Sequence, residues 1–347
     1  MKGLLIITKT VDENDQLLGF FIGWLREFAK RYDKINVLCL EKGSFNLPEN
    51  VRVTSLGKDK KLPKIVWLLN LYIQSWKLKN QYSAVFVHMN AIYVVVGAWL
   101  WHLLGKKVYL WYAHKTITWR HRIAEKFADG IFASTPEGFR LKTDKLYIVG
   151  QGIDTDIFKP NQELRIKNQG VIKILSVGRI APVKNYKTLI EAAEILDKCN
   201  FDFSITVIGA PVFSEDVAYE RELKELIKKK NLEKRFKFEG KISNKDLPVY
   251  YQSHQIYANL SRTGSLDKTI VEAMASGCTV LSSNDSARQF LPPELVVDDN
   301  NPQQLADKIM EIKSEDYGVQ LRQYVVQNHS LGQLINKITS VIENINE

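Results

Sequence analysis

Short apolar runs alternate with longer amphipathic runs along most of the chain, and the whole pattern occurs twice. In the first half, strand-like runs fall at 3–7, 34–40, 84–88, 107–112, 130–134 and 145–149. Helical runs separate them at 19–31, 63–79 and 92–104, the last apolar enough to read as a buried helix. In the second half, strands are expected at 171–177, 203–208, 236–239, 255–258 and 279–282. Helices are expected there at 186–198, 217–230, 246–251, 269–276 and 302–312. Such alternation predicts parallel strands joined by crossover helices. Gly150-Gln-Gly152 breaks the rhythm, and the polar stretch 160–170 reads as a linker. The expectation is an α/β chain of two Rossmann-like, doubly wound domains, 1–160 and 161–330, with an amphipathic C-terminal helix within 331–347. In sheets of this kind, ligands bind beyond the carboxyl ends of the strands.

Two segments of the second half lie on that edge. Ile174-Leu-Ser-Val-Gly-Arg-Ile-Ala-Pro-Val-Lys-Asn185 runs from a buried strand through a tight loop into a helix. Leu266-Asp-Lys-Thr-Ile-Val-Glu-Ala-Met-Ala-Ser-Gly277 runs from a loop into a helix. Helix N-termini offer unpaired N–H groups and partial positive charge to phosphate. Arg179 adds a planar fork and Lys184 a point charge. Glu272, one turn into its helix, can accept hydrogen bonds from the paired hydroxyls of a ribose. The first loop lacks the Gly-Lys-Ser/Thr ending of a Walker A motif, and no Gly-x-Gly-x-x-Gly dinucleotide fingerprint is present.

These residues resemble the donor site of retaining glycosyltransferases of the GT-B fold, family 4 (glycosyl transferases group 1). The resemblance extends to Trp111-Tyr-Ala-His114 and to Gly152-Ile-Asp-Thr-Asp-Ile-Phe-Lys-Pro160, and is strongest over 106–307. It implies two Rossmann-like domains facing a cleft, with the last helix packing back on the first domain. Arg179 and Lys184 would hold the donor diphosphate, Glu272 the ribose, and His114 would stand against the donor sugar. Gly19, in the loop after the first strand, would pass under the phosphate, with Asp12 and Asp15 on the acceptor side. The family's second Glu, eight residues before Glu272, is Gly264 here. Ser265, Leu266, Asp267 and Lys268 of the same loop are the substitutes for sugar and phosphate contact. The implied reaction is sugar transfer with retention from a UDP- or GDP-linked donor to an acceptor hydroxyl on a glycan or lipid-linked acceptor. It requires no cofactor beyond the donor substrate. Gly264 favours a non-catalytic nucleotide-sugar binder as the alternative, and a nucleotide-sugar epimerase shares the fold.

The three cysteines are scattered, with no pair or cluster at metal-ligand spacing, so no metal is expected. Asp154-Thr-Asp156 sits in the interdomain segment and is not read as a metal site. The longest apolar stretch, 91–104, is shorter than the ~20 residues that span a bilayer. A cytoplasmic protein, peripheral on the inner membrane face, is therefore expected. The net charge of +9 is unevenly placed: residues 1–160 hold 24 Lys and Arg against 14 Asp and Glu. Segment 58–79 interleaves lysines with Trp67, Tyr72 and Trp76, which suits an anionic membrane surface. No RNA- or DNA-binding signature accompanies the charge, so nucleic acid is not an expected partner.

Overall fold

The computed structural model describes residues 2–343 except 16, 162, 165–169, 262–263 and 313–316. Part of the expected linker at 160–170 and the end of the tail therefore lie outside the described residues. The chain divides into two units, Met1–Gly152 with His329–Glu347, and Ile153–Asn328.

The first unit is built from β1 (Gly3–Val11), α1 (Phe21–Ala29), β2 (Lys34–Lys42), β3 (Val51–Ser55), α2 (Lys64–Lys77), β4 (Ala84–His88), α3 (Ile92–Leu103), β5 (Lys107–Trp111), α4 (Trp119–Phe127), β6 (Gly130–Ala133) and β7 (Leu146–Ile148). Its seven strands pair in parallel in the order β3-β2-β1-β4-β5-β6-β7, so the winding reverses between β1 and β4. Strand β1 shows why the sheet is covered on both faces. Leu4 and Ile6 enter one core with Phe21, Trp24, Leu25 and Phe28 of α1. Leu5 and Ile7 enter the other, with Leu71 of α2, Trp101 of α3 and Ala124 of α4. Period-two alternation sends successive apolar residues to opposite faces, so both must be buried.

The second unit continues with β8 (Ile172–Val177), α5 (Tyr186–Lys198), β9 (Phe203–Ile208), α6 (Ser214–Lys229), β10 (Phe236–Gly240), α7 (Leu247–Ser253), β11 (Ile256–Asn259), α8 (Lys268–Ala275), β12 (Thr279–Ser282), α9 (Pro302–Ile312) and α10 (Gly318–Asn328). Its five parallel strands run β10-β9-β8-β11-β12, reversing between β8 and β11 around one continuous core. The last helix, α11 (Leu331–Ile342), belongs to the first unit. Its Leu331, Leu334, Ile335 and Ile338 share the core of Phe21 and Trp24, and Arg31 donates to Asn336 Oδ1 at 2.9 and 2.6 Å. Gly152 has φ +74°, and a Cβ there would stand 2.9 Å from the Trp24 ring, so this junction requires glycine.

Four elements depart from the sequence expectation. Strand β3 and helices α4 and α10 form where none was read. Strand β3 alternates Val with Arg and Thr, and α4 buries only His121 and Ala124. Such elements carry a weak apolar signal. Helix α3 is not wholly buried as expected, since Trp99, His102 and Leu103 are exposed.

Candidate functional site

The second unit concentrates the charged candidates at the carboxyl ends of β8 and β11, on either side of the reversal point. Strand β8 ends at Val177, and the Gly178 N–H donates to Ile208 O at 2.9 Å, tying the turn to the end of β9. Gly209 has φ +144°, and a Cβ on it would lie 1.8 Å from Gly178 O. Only glycine allows these two strand ends to approach so closely. A single 3-10 turn, Pro182–Lys184, and Asn185 at φ +50° then lead into α5. Thr188 and Asn185 anchor this start by donating to Asp299 O, the former at 2.7 Å.

Arg179 leaves that loop toward α6. Its guanidinium lies 5.1 Å from the Phe213 ring centroid, and its Nε is 3.7 Å from Asp216 Oδ2. Asp216 is buried and already accepts from the Val212 and Phe213 N–H groups at 3.2 Å. Arg179 therefore has a planar support and one loose ion pair, not a bidentate carboxylate.

Lys184 Nζ lies 2.6 Å from Asp267 Oδ2. The same carboxylate oxygen accepts from Asn259 Nδ2 at 3.0 Å and Ser261 Oγ at 2.7 Å. Burial pushes the Asp267 carboxyl up, but the Lys184 ammonium and the two side-chain donors outweigh it and hold it below its ordinary value. Asp267 is also the residue from which α8 starts.

Glu272 is 1% exposed, one turn into α8. Lys268 Nζ is 2.7 Å from its Oε1, Asn244 Nδ2 donates to Oε1 at 3.3 Å, and Tyr251 donates to Oε2 at 3.1 Å. Burial, with the Glu272 charge added, pushes the Tyr251 hydroxyl well above its ordinary pKa. Tyr251 thus stays a neutral donor. Ser265 and Gly264 are held by the loop after β12: Asn284 donates to Ser265 O at 3.0 Å and Ser286 Oγ to Gly264 O at 3.4 Å. Leu266 is buried in the core. Arg262 and Thr263 lie outside the described residues.

The structure thus brings Arg179, Lys184, Asp267, Lys268 and Glu272 onto one strand edge. Sequence reasoning missed Asp216, Asn244, Tyr251, Asn259 and Ser261, which hold them. For Asn259 there was a signal: it closes a strand on the ligand-binding edge. Arg322 of α10, also missed, donates to the Ala275, Phe158 and Thr155 carbonyls at 2.5, 2.9 and 3.2 Å. It fixes the end of α8 to the segment that opens the unit. Within that segment Asp154 Oδ1 accepts from the Asp156 and Ile157 N–H groups at 3.1 and 3.2 Å, so its carboxylate caps a turn.

The remaining candidates belong to the first unit. His114 is exposed beyond β5; its N–H donates to Gly138 O at 2.9 Å, and its Nδ1 accepts from the Thr116 N–H at 3.1 Å. Gly19 precedes α1, and a Cβ there would meet Asp15 O at 2.6 Å. Asp15 Oδ1 accepts from the Leu17 and Leu18 N–H groups at 2.9 and 2.7 Å, and Asp12 Oδ1 from Asn14 N–H at 3.0 Å. Both carboxylates thus shape their own loop. His88, the other strand-end histidine, stacks on Phe21 at 4.1 Å and is fully buried. Burial pushes its pKa down to about 3, so it is a neutral core residue.

Comparison with known proteins assigns this arrangement to a family. Residues 159–331 match the family model described as glycosyl transferases group 1. A mannosylfructose-phosphate synthase of Agrobacterium fabrum is 27% identical over 171 residues, 45% of this chain and 37% of that protein. The chain therefore spans well under half the length of that relative. An uncharacterized glycosyltransferase of Haemophilus influenzae is 24% identical over 86% of each chain. Among solved structures, Anabaena HepE in complex with UDP superposes with a TM-score of 0.80 at 18% identity, covering 99% of this chain and 100% of that one. Sucrose-phosphate synthase from Thermosynechococcus elongatus gives 0.78 at 16% identity, covering 99% of both chains. The fold is that of GT-B glycosyltransferases, with two Rossmann-like domains.

Proposed function

Through residues 159–331 the chain belongs to the glycosyl transferases group 1, and from that premise we propose that it moves a sugar from a nucleoside-diphosphate donor to an acceptor hydroxyl with retention of anomeric configuration. The observation that carries the reading is the pair of cations at the end of β8. Arg179 and Lys184 flank the loop into α5, with Glu272 across the reversal point on α8. HepE, a structural neighbour, has been solved with UDP and with UDP-glucose. That favours a UDP-linked donor, with GDP as the other candidate.

In this scheme the anomeric carbon–oxygen bond to the diphosphate breaks as the acceptor oxygen bonds to the same face of the sugar. The acceptor proton passes to the departing phosphate oxygen. Negative charge grows on the diphosphate, and the fixed Arg179 and Lys184 cations stabilise it there. No side-chain nucleophile is required, and the cations remove the need for a metal. Asp267 holds Lys184 in place, and Asn244, Tyr251 and Lys268 hold the Glu272 carboxylate for the ribose hydroxyls. His114 acts on the donor sugar. The acceptor is a glycan or lipid-linked hydroxyl.

Gly264 favours one second reading, a binder of nucleotide sugars that transfers nothing. In the transfer reading, the substitutes for that Glu are Asp267 and Lys268 of the same loop. Incubation with UDP- and GDP-sugars, with products followed by NMR, tests the proposal. Release of nucleoside diphosphate with an axial-to-axial or equatorial-to-equatorial outcome supports it; an inverted product contradicts retention.

A further inference from the structure

We propose that the outer face of α2 and α3 docks the first unit on an anionic membrane surface. Helix α2 packs Trp67, Leu68 and Leu71 on the core but carries a second set of apolar side chains outward. Ile65, Leu69, Ile73 and Trp76, spaced four, four and three residues apart, are between 46% and 61% exposed, whereas only Leu71 and Ser75 of this helix are buried. Spacing of this kind places all four on one stripe. The neighbouring helix extends the patch. Trp99 is 55% and Leu103 73% exposed. Trp99 meets Tyr72 edge-on at 5.5 Å, and its Nε1 donates to the Tyr72 hydroxyl at 3.4 Å.

An exposed apolar stripe needs an occupant, and the charge around it identifies one. Lys60, Lys61 and Lys64 stand before and at the start of α2, and Lys77 and Lys79 at its end. Lys79 Nζ lies 4.1 Å over the Trp76 ring. Residues 60–124 contain ten Lys and Arg and no Asp or Glu. An apolar stripe ringed by lysines, with tryptophans at its edge, fits the boundary between acyl chains and anionic headgroups. Trp67, grouped with Trp76 in the sequence, packs instead against the core. Among the described residues no helix is long and apolar enough to cross a membrane, so the contact is one of surface insertion.

The proposal goes beyond the transferase reading and is testable without any donor. The full chain is sedimented with phosphatidylcholine vesicles, with and without phosphatidylglycerol, at low and high salt. Binding to the phosphatidylglycerol vesicles at low salt, weakened as salt shortens the screening length to roughly 3 Å at 1 M, is expected. Leu69→Gln/Ile73→Gln/Trp76→Gln should lower partitioning at least about tenfold without changing the melting temperature, because these side chains are already half in water. Lys60→Glu/Lys61→Glu/Lys64→Glu should lose the preference for phosphatidylglycerol. Equal partitioning of the wild type to both vesicles, or an apolar triple variant that binds as the wild type does, overturns the proposal. So does a wild-type dimer that the triple variant converts to monomer, since a second copy would then cover the face. UDP titration of the same proteins reads the donor site separately, so failure of one reading is distinguishable from failure of the other.

Discussion

Lys184 and Asp267 are 83 residues apart in the chain, and their charged atoms meet at 2.6 Å. The pair joins the loop after β8 to the first residues of α8, so it sets the distance between the two loops that form the candidate donor site. Because Asn259 and Ser261 also donate to Asp267, the anchor is a small network. Removing one member leaves the others with unmet hydrogen-bonding capacity.

The pair gives stability a defined pH dependence. Asp267 titrates below its ordinary carboxylate value when folded, so its contribution is present above that value, about pH 4, and is lost as pH falls through the folded pKa. Lys184→Met should remove about 1–3 kcal/mol at neutral pH and flatten this part of the acid transition. Thermal melts from pH 7 downward check both. A variant that keeps the wild-type acid dependence rules out the pair as its source.

Glu272→Gln should fold, because Lys268 and Asn244 keep the amide oxygen and the Tyr251 hydroxyl can turn to accept from the new amide N–H, and should lose most nucleotide affinity. Circular dichroism and UDP titration separate the two effects. Intact affinity with a lowered melting temperature would make Glu272 a structural partner of Tyr251 and nothing more.

His114→Ala should depress turnover by about a hundredfold, the scale of one lost transition-state donor, while UDP binds as before. The ring is exposed and accepts the Thr116 N–H, a short-range contact within its own loop, so stability should change little. Steady-state kinetics beside calorimetry decide; undiminished turnover removes His114 from the site.

Turnover should persist in EDTA, since Arg179 and Lys184 supply the positive charge that the leaving diphosphate needs. Loss of activity on chelation, restored by Mn²⁺ or Mg²⁺, would contradict the scheme.

The two doubly wound sheets were legible because alternation of apolar and amphipathic runs is a local property. The placement of Arg179, Lys184 and Glu272 was legible for the same reason: each sits where a strand or loop enters a helix. Their partners were not. Asp216, Asn244, Tyr251 and Asn259 reach the site from other elements, and no spacing in the chain announces such a meeting. Helix α4 was hidden because only His121 and Ala124 of it are buried. Trp67 and Trp76 looked alike in the sequence, yet one faces the core and the other solvent. The flanking lysines could not tell them apart, and only the packing of α2 does.

The central claim is that Arg179 and Lys184 form the diphosphate clamp, and calorimetric titration of UDP and GDP into wild type, Arg179→Ala and Lys184→Ala tests it most directly. The account predicts that wild type binds one of the two nucleotides and that Arg179→Ala weakens binding by about 1.5–3 kcal/mol, roughly ten- to a hundredfold in Kd. Lys184→Ala should weaken it similarly. Unchanged affinity in both variants, or no binding of either nucleotide to the wild type, would contradict it.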